Sequence, residues 1–198
     1  MRLGAPLDAP DRPGGTQFLL RKAAQAGISH VVYISVVGVD RNPFFYYRIK
    51  LDADRVVARS GVPWTILRAT QFHDLILAIA GTLSRAPLVA PIPKDFLFQP
   101  IDAGEVADRL AELALSGPGG RVPDAGGPEV GTLADLTRAY LRFTGSTKKI
   151  LELPLPGKAA RAFREGAQVV PRSAWGALTR EEFLRTRLPP AEARVTGA

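Results

Sequence analysis

Residues 31–50 read VVYISVVGVDRNPFFYYRIK. Val31-Val32-Tyr33-Ile34 is a β-branched and aromatic run with Ser35 at its end. Its apolar positions are consecutive rather than alternating, which predicts a strand covered on both faces, as in a parallel sheet. Val36 to Pro43 follows as a loop holding Gly38, Asp40, Asn42 and Pro43. Tyr46 and Lys50 then stand four apart at the start of a helix ending at Ser60-Gly61, with Ile49, Ala53, Val56, Val57 and Ser60 as its apolar stripe. Pro63-Trp64-Thr65-Ile66-Leu67 is a second buried strand. Strand, helix and strand of this kind make a βαβ unit with a right-handed crossover, so the fold class is α/β.

Working outward, residues 1–15 predict a ragged loop, and Thr16 caps a helix to Ala26 with Gly27 as its stop. Downstream, 72–84 reads as a helix and 85–94 as irregular, with prolines at 87, 91 and 93. Phe96 to Ile101 predicts a short strand. Asp102 with Glu105 is a capping signature for a helix ending near Leu115. Arg121 to Ala125 predicts another strand, Thr132 with Asp135 caps a helix to about Phe143, and Ile150 to Leu155 is extended. A basic amphipathic helix over 157–169 and a last short one capped by Thr179 and Glu182 complete the chain. Trp64 and Trp175 read as packing residues.

Composition narrows the function classes. The 198 residues contain no cysteine, which excludes disulfides and thiolate metal sites and agrees with a reducing cytoplasm. Two histidines, His30 and His73, argue against a dedicated zinc site, and no metal is expected. The N-terminus has no apolar signal core, and the longest apolar run, Leu75 to Leu83, is too short to span a bilayer. The net charge of +7 lies wholly in residues 136–198, with 12 basic and 5 acidic groups. Such a tail can meet nucleic acid, an anionic membrane or an acidic partner. Its cations are scattered and not interleaved with aromatics, which argues against nucleic acid and for a solvated surface.

The chemistry gathers at the opening stretch. Residues four apart on a helix share a face, so an ammonium at Lys50 can stabilise a phenolate at Tyr46 and ready it for proton exchange. Ser35 ends its strand where open α/β sheets place ligands. Taken singly, Tyr46 and Lys50 can equally be a packed tyrosine and a surface lysine, and Ser35 a strand-end hydroxyl. Only Tyr46, not Tyr47, has the spacing to Lys50.

These residues resemble the short-chain dehydrogenase/reductase superfamily. VVYISVVGVDRNPFFYYRIK followed by LDADRVVARSGVPWTILRATQFHD looks most like its atypical, NmrA-like branch. The likeness continues through FLFQPIDAGEVADRLAELAL and GGPEVGTLADL. The resemblance implies a Rossmann-like doubly wound parallel sheet, here its C-terminal portion over 16–120, and a smaller substrate-side α/β region over 121–198. It implies NAD or NADP as cofactor, a small-molecule substrate, and Ser35, Tyr46 and Lys50 as the catalytic serine, tyrosine and lysine. Ser35, Lys50 and the segment Arg68-Ala69-Thr70-Gln71-Phe72 would face the cofactor, with His73 and Phe98 in the substrate pocket. A satisfied, partly buried histidine is the other reading of His73.

One departure is large. No G-x-x-G-x-x-G or G-x-G-x-x-G stands near the N-terminus, although the family binds the pyrophosphate there. The expectation is a chain that starts after the fourth strand of the fold, as a short gene model or a natural fragment. The strand at 31–35 would then expose an edge and favour self-association. Two functional readings stand: an NmrA-like oxidoreductase that reduces a carbonyl or similar group, and a non-catalytic dinucleotide-sensing or protein-interaction module. An inactive fragment is the third outcome.

Overall fold

The computed structural model describes residues 13–188. The first helix, α1 (Pro13–Gln25), leads into β1 (Val31–Val36), α2 (Phe45–Ala58) and β2 (Trp64–Ala69). β1 and β2 pair in parallel, Val31 opposite Trp64 through Val36 opposite Ala69. Helix α1 begins at Pro13 rather than at Thr16, so Thr16 lies inside its first turn, where a proline start is well suited. Of the expected N-terminal loop, residues 1–12 lie outside the described residues.

Two further helix–strand passages follow: α3 (His73–Leu83), β3 (Val89–Pro93), β4 (Leu97–Phe98), α4 (Ala103–Leu115) and β5 (Gly120–Arg121). Then come β6 (Gly131–Thr132), α5 (Leu133–Phe143), β7 (Lys149–Leu153), α6 (Lys158–Arg164) and α7 (Arg180–Arg187). The strands form a parallel β1-β2-β5 sheet, a parallel β3–β7 pair and an antiparallel β4–β6 pair.

The parallel sheet is a covered middle layer. Val31, Tyr33, Trp64 and Ile66 face α1 and α2, where Leu20 and Val57 are buried against them. Val32, Ile34 and Leu67 face α4, against Val106, Leu110 and Leu113. This two-sided cover is why β1 carries consecutive apolar residues and β2 is buried through Thr65 as well as Ile66 and Leu67. Each side chain of this kind taken fully out of water contributes roughly 1.5–3 kcal/mol before chain entropy is set against it. A second core joins α3, β3, β4, α5 and α6 through Ile76, Ile92, Phe98, Leu136 and Ala160. The two cores alternate along the chain: α3, β3 and β4 enter the second, α4 and β5 return to the first.

Three expectations are corrected. Residues 89–93 form a strand despite their prolines. Lys94 N–H donates to Leu153 O at 2.9 Å, so even-numbered residues point their N–H groups at β7. Pro91 and Pro93 point the other way, along an edge that no described strand pairs, where a missing N–H costs nothing. The helix expected over 157–169 is confined to Lys158–Arg164. Trp175 is not a packing residue, being 45% exposed.

The caps agree with the sequence in kind. Asp102 accepts from the N–H groups of Gly104 and Glu105, and Thr132 with Asp135 and Thr179 with Glu182 close full capping boxes. Glu105 does not return to its own cap; it accepts from the backbone N–H of Ala177 at 2.8 Å and of Leu178 at 3.1 Å, fastening the 176–178 turn to α4.

Candidate active site

The parallel sheet ends in a cavity of about 300 Å³. Ser35 reaches it from the end of β1, Tyr46, Tyr47 and Lys50 from the first turns of α2, and Thr70, Gln71 and Phe72 from the turn after β2. Phe98 closes one side from β4 and Phe163 another from α6. The placement follows from the fold: parallel strands deliver their C-terminal ends, and the residues just after them, to one rim.

Ser35 is 2% exposed, and its Oγ has no hydrogen-bond partner. Gln71 Oε1 is likewise buried and unpartnered. Buried polar atoms are almost always paired, so two orphans on residues that line one cavity mark it as a place for a ligand's polar groups. The turn after Ser35 is held close to the 167–168 backbone. Gly38 has φ +87°, and a Cβ there would stand 2.3 Å from Ala167 O, so only glycine allows this approach.

The two tyrosines divide sharply. Tyr46 is 38% exposed at the cavity mouth, and its hydroxyl makes no hydrogen bond among the described residues. Tyr47 is buried, and burial pushes its phenol up to about 12 despite a long hydrogen bond from Gln71 Nε2 at 3.5 Å. A phenol held so firmly protonated is a poor proton exchanger near neutrality. Lys50 corrects the simplest sequence picture: its Nζ donates to Tyr33 Oη at 2.9 Å and to Ile34 O at 3.3 Å, rather than to Tyr46. It also lies 4.8 Å from the centroid of the Tyr33 ring, within cation–π range.

Arg68 and His73 fall outside the cavity lining. Arg68 is buried in an ion triad, with Nε and Nη2 both 3.0 Å from Asp54 Oδ2 and Nη1 3.1 Å from Asp40 Oδ2. Burial raises the Asp40 carboxyl, but the hydrogen bond and charge of Arg68 outweigh it and hold the group below its ordinary value. The triad joins β2 to the loop after Ser35 and to the helix that carries Tyr46. His73 stacks on Phe183 at 4.8 Å between ring centroids, and its Nε2 lies 3.2 Å from Leu178 O. Burial pushes its imidazole below its ordinary value, and the Leu178 carbonyl only partly offsets this. It is the satisfied, buried histidine of the second sequence reading.

Residues that sequence reasoning missed come from far along the chain. Phe163 stacks on Phe96 at 4.9 Å and meets Phe44 and Tyr47 edge-on at 5.8 and 5.9 Å. Gln168 is fully buried, donating from Nε2 to Leu97 O and Phe163 O while its backbone carbonyl accepts from Gln71. Nothing local in the sequence distinguishes either residue. A lone phenylalanine in a basic helix and a glutamine in a run of small residues carry no periodic signal.

A parallel sheet whose strand ends meet one cavity, with Ser35, Tyr46 and Lys50 beside it, has the arrangement in which open α/β folds bind ligands. Residues 3–82 match a family model described as NAD(P)H-binding. Over those residues the chain resembles NAD(P)H-binding domains, and its fold is Rossmann-like. A curated relative, the (4-alkanoyl-5-oxo-2,5-dihydrofuran-3-yl)methyl phosphate reductase of Streptomyces griseus, is 30% identical over 161 residues. That match covers 74% of this chain, which spans only 57% of the relative's length. Among solved structures, the NADPH-dependent quinone oxidoreductase of Escherichia coli complexed with NADPH superposes with a TM-score of 0.73 at 17% identity, over 92% of this chain and 74% of that one. The triphenylmethane reductase of Citrobacter sp. complexed with NADP(H) gives 0.62 at 15% identity, over 92% and 73%. At these identities the structures speak for the fold alone.

The residues present fit the nicotinamide end of such a cofactor: an apolar cavity with two unpartnered polar atoms and one ammonium at its rim. Among the described residues no strand passes into a helix through a G-x-x-G-x-x-G turn, so the fit reaches no further along the dinucleotide. No described helix is long and apolar enough to cross a membrane, and no described cluster of His, Asp and Glu could hold a metal ion.

Proposed function

We propose that the chain forms the catalytic and substrate-side part of an NAD(P)H-dependent oxidoreductase that reduces a carbonyl or similar group. The observation that carries this reading is the buried, unpartnered Ser35 Oγ in the same cavity as Tyr46 and Lys50. When bound, NAD(P)H supplies the hydride. Tyr46 holds the proton that ends on the substrate oxygen, so that one hydride and one proton turn a carbonyl into an alcohol. Its exposed position lets solvent restore that proton. Lys50, a turn away on the same face, brings positive charge to that end of the cavity and contacts the nicotinamide ribose, as the family resemblance implies. Ser35 donates to the substrate oxygen, and Ala69 to Phe72 pass beside the nicotinamide.

One observation favours the second reading, a dinucleotide sensor without turnover: the Lys50 ammonium rests on Tyr33 rather than on Tyr46. Titration of NADPH and NADH, followed by nicotinamide fluorescence with and without a ketone, separates the two. Consumption of the reduced nucleotide supports the reductase. Binding without consumption supports the sensor, and no binding at all removes both.

Self-association belongs to the same proposal. The outer edge of β1 pairs with no described strand, and Phe18, Leu19 and Ile28 stand about half exposed or more beside it in sequence. Light scattering on the purified chain is expected to give a mass above that of the monomer; a sharp monomeric peak overturns this. A cytoplasmic location accords with the cysteine-free composition.

A further inference from the structure

We propose that the outer face of the β3–β7 pair docks on an anionic phospholipid surface, its leucines entering the headgroup boundary while the cations around them meet lipid phosphates. The inference stands apart from the reductase reading. Burial alternates along β7: Ile150 and Glu152 turn inward, and Lys149, Leu151 and Leu153 are exposed. The register sets Pro91 opposite Leu151 and Pro93 opposite Leu153, while Ala90 and Ile92 of β3 are buried in the second core. The outer face is thus an aliphatic patch, with Leu151 48% and Leu153 39% exposed, and Leu155 just beyond them 41% exposed. Cations surround it. Lys149 lies on the face, Lys94 follows Pro93, and Lys158 follows the turn after Leu155; all three are exposed and make no ion pair among the described residues. Arg164 reaches back to Leu155 O at 2.8 Å. Beside Lys149 opens a cleft of about 440 Å³ that Arg138, Arg142 and Lys148 also line, roomy enough for a headgroup. Of the acids in these segments, Asp135 and Glu152 are held by Arg138 and Glu165 by Arg161, which leaves Asp95 unpaired and the local balance positive. The cores of protein–protein interfaces are rich in aromatic residues and poor in lysine, whereas an aliphatic patch rimmed by lysines suits a headgroup layer. Strand addition by a second copy is hindered as well. Lys94 N–H donates to Leu153 O, so the even-numbered residues of β7 turn their backbone groups to the open edge, where Pro154 has no N–H to offer.

Flotation of the full chain with two kinds of vesicle tests this: phosphatidylcholine alone, and phosphatidylcholine mixed in equal parts with phosphatidylglycerol. The chain is expected to partition at least about tenfold more strongly onto the anionic vesicles. That preference is expected to vanish in about 1 M salt, where the screening length falls to about 3 Å. Leu151→Ser/Leu153→Ser changes two exposed side chains and is expected to weaken partition at least about fivefold, with the urea-unfolding midpoint unchanged. Lys149→Ala/Lys158→Ala is expected to do the same on anionic vesicles only. Equal partition onto the two vesicles, partition onto neither, a preference that survives high salt, or either double variant binding as the unmodified chain does each overturns the proposal. A chain that ignores vesicles, and whose leucine variant loses mass in light scattering, assigns the face to a second copy and overturns it as well.

Discussion

Tyr46→Phe is expected to lower kcat for an NAD(P)H-dependent carbonyl reduction by about 10²–10⁴-fold, the usual worth of a positioned acid–base group. The fold should not notice. Tyr46 is 38% exposed and its hydroxyl bonds to nothing among the described residues, so its removal orphans no buried partner. Stability is expected to stay within about 0.5 kcal/mol, as for other surface changes away from special features. Tyr47→Phe is the internal control: it removes a phenol of similar reach whose burial holds it up to about 12, and should leave kcat within a few-fold. Initial rates of nicotinamide oxidation decide between them. Unchanged turnover in Tyr46→Phe, or a collapse in Tyr47→Phe at unchanged stability, would refute the assignment.

The second large effect is on stability. Arg68→Met is expected to cost about 3–5 kcal/mol, because it leaves the Asp54 carboxylate buried without its cation. Asp54 is 5% exposed and has one oxygen, Oδ1, already unpartnered, so no other group in place takes over. The same change frees Asp40 and with it the loop between Ser35 and Tyr46. Urea unfolding measures the loss directly. The double variant Arg68→Met/Asp54→Leu, in which no charge is stranded, is expected to recover most of it; equal losses in single and double variants would show that packing rather than charge is at stake. The triad also sets an acid limit. Asp40 titrates below its ordinary value in the folded chain, so its share of stability is complete above about pH 4 and fades as the pH falls through the lower folded value. In Arg68→Met that part of the acid dependence should vanish.

The sequence made the first half of the molecule legible because its signals are local. Consecutive apolar residues at 31–34 and the Trp64-Thr65-Ile66-Leu67 run after a Gly-Val-Pro turn point to strands covered twice, and the structure covers them with α1 and α2 on one side and α4 on the other. Thr132 with Asp135 and Thr179 with Glu182 were readable because a cap is settled within four residues. The prolines at 91 and 93 misled for a definable reason: which way an N–H points depends on the partner strand, some sixty residues on, and no local pattern reports it. The site divides along the same line. Ser35, Tyr46, Phe98 and the stretch 69–72 do line one cavity, but the partner of Lys50, the triad around Arg68 and the wall made by Phe163 are all long-range pairings. His73 was ambiguous in sequence, since only the arrival of Phe183 and Leu178 decides which way its ring is used.

The seam between Gly38 and Ala167, with Gln71 meeting Gln168 beside it, has a consequence for biosynthesis. Contacts between residues 97 positions apart or more form only after most of the chain has left the ribosome, and such closures are slow. The β1–α2–β2 unit can pair early, because its strands are separated by a single helix. Until residues 163–168 emerge, that unit has its rim but not its far wall, and its phenylalanines face water. The nascent chain therefore passes through a half-built, adhesive stage, and α6 with Phe163 both completes the cavity and ends that exposure.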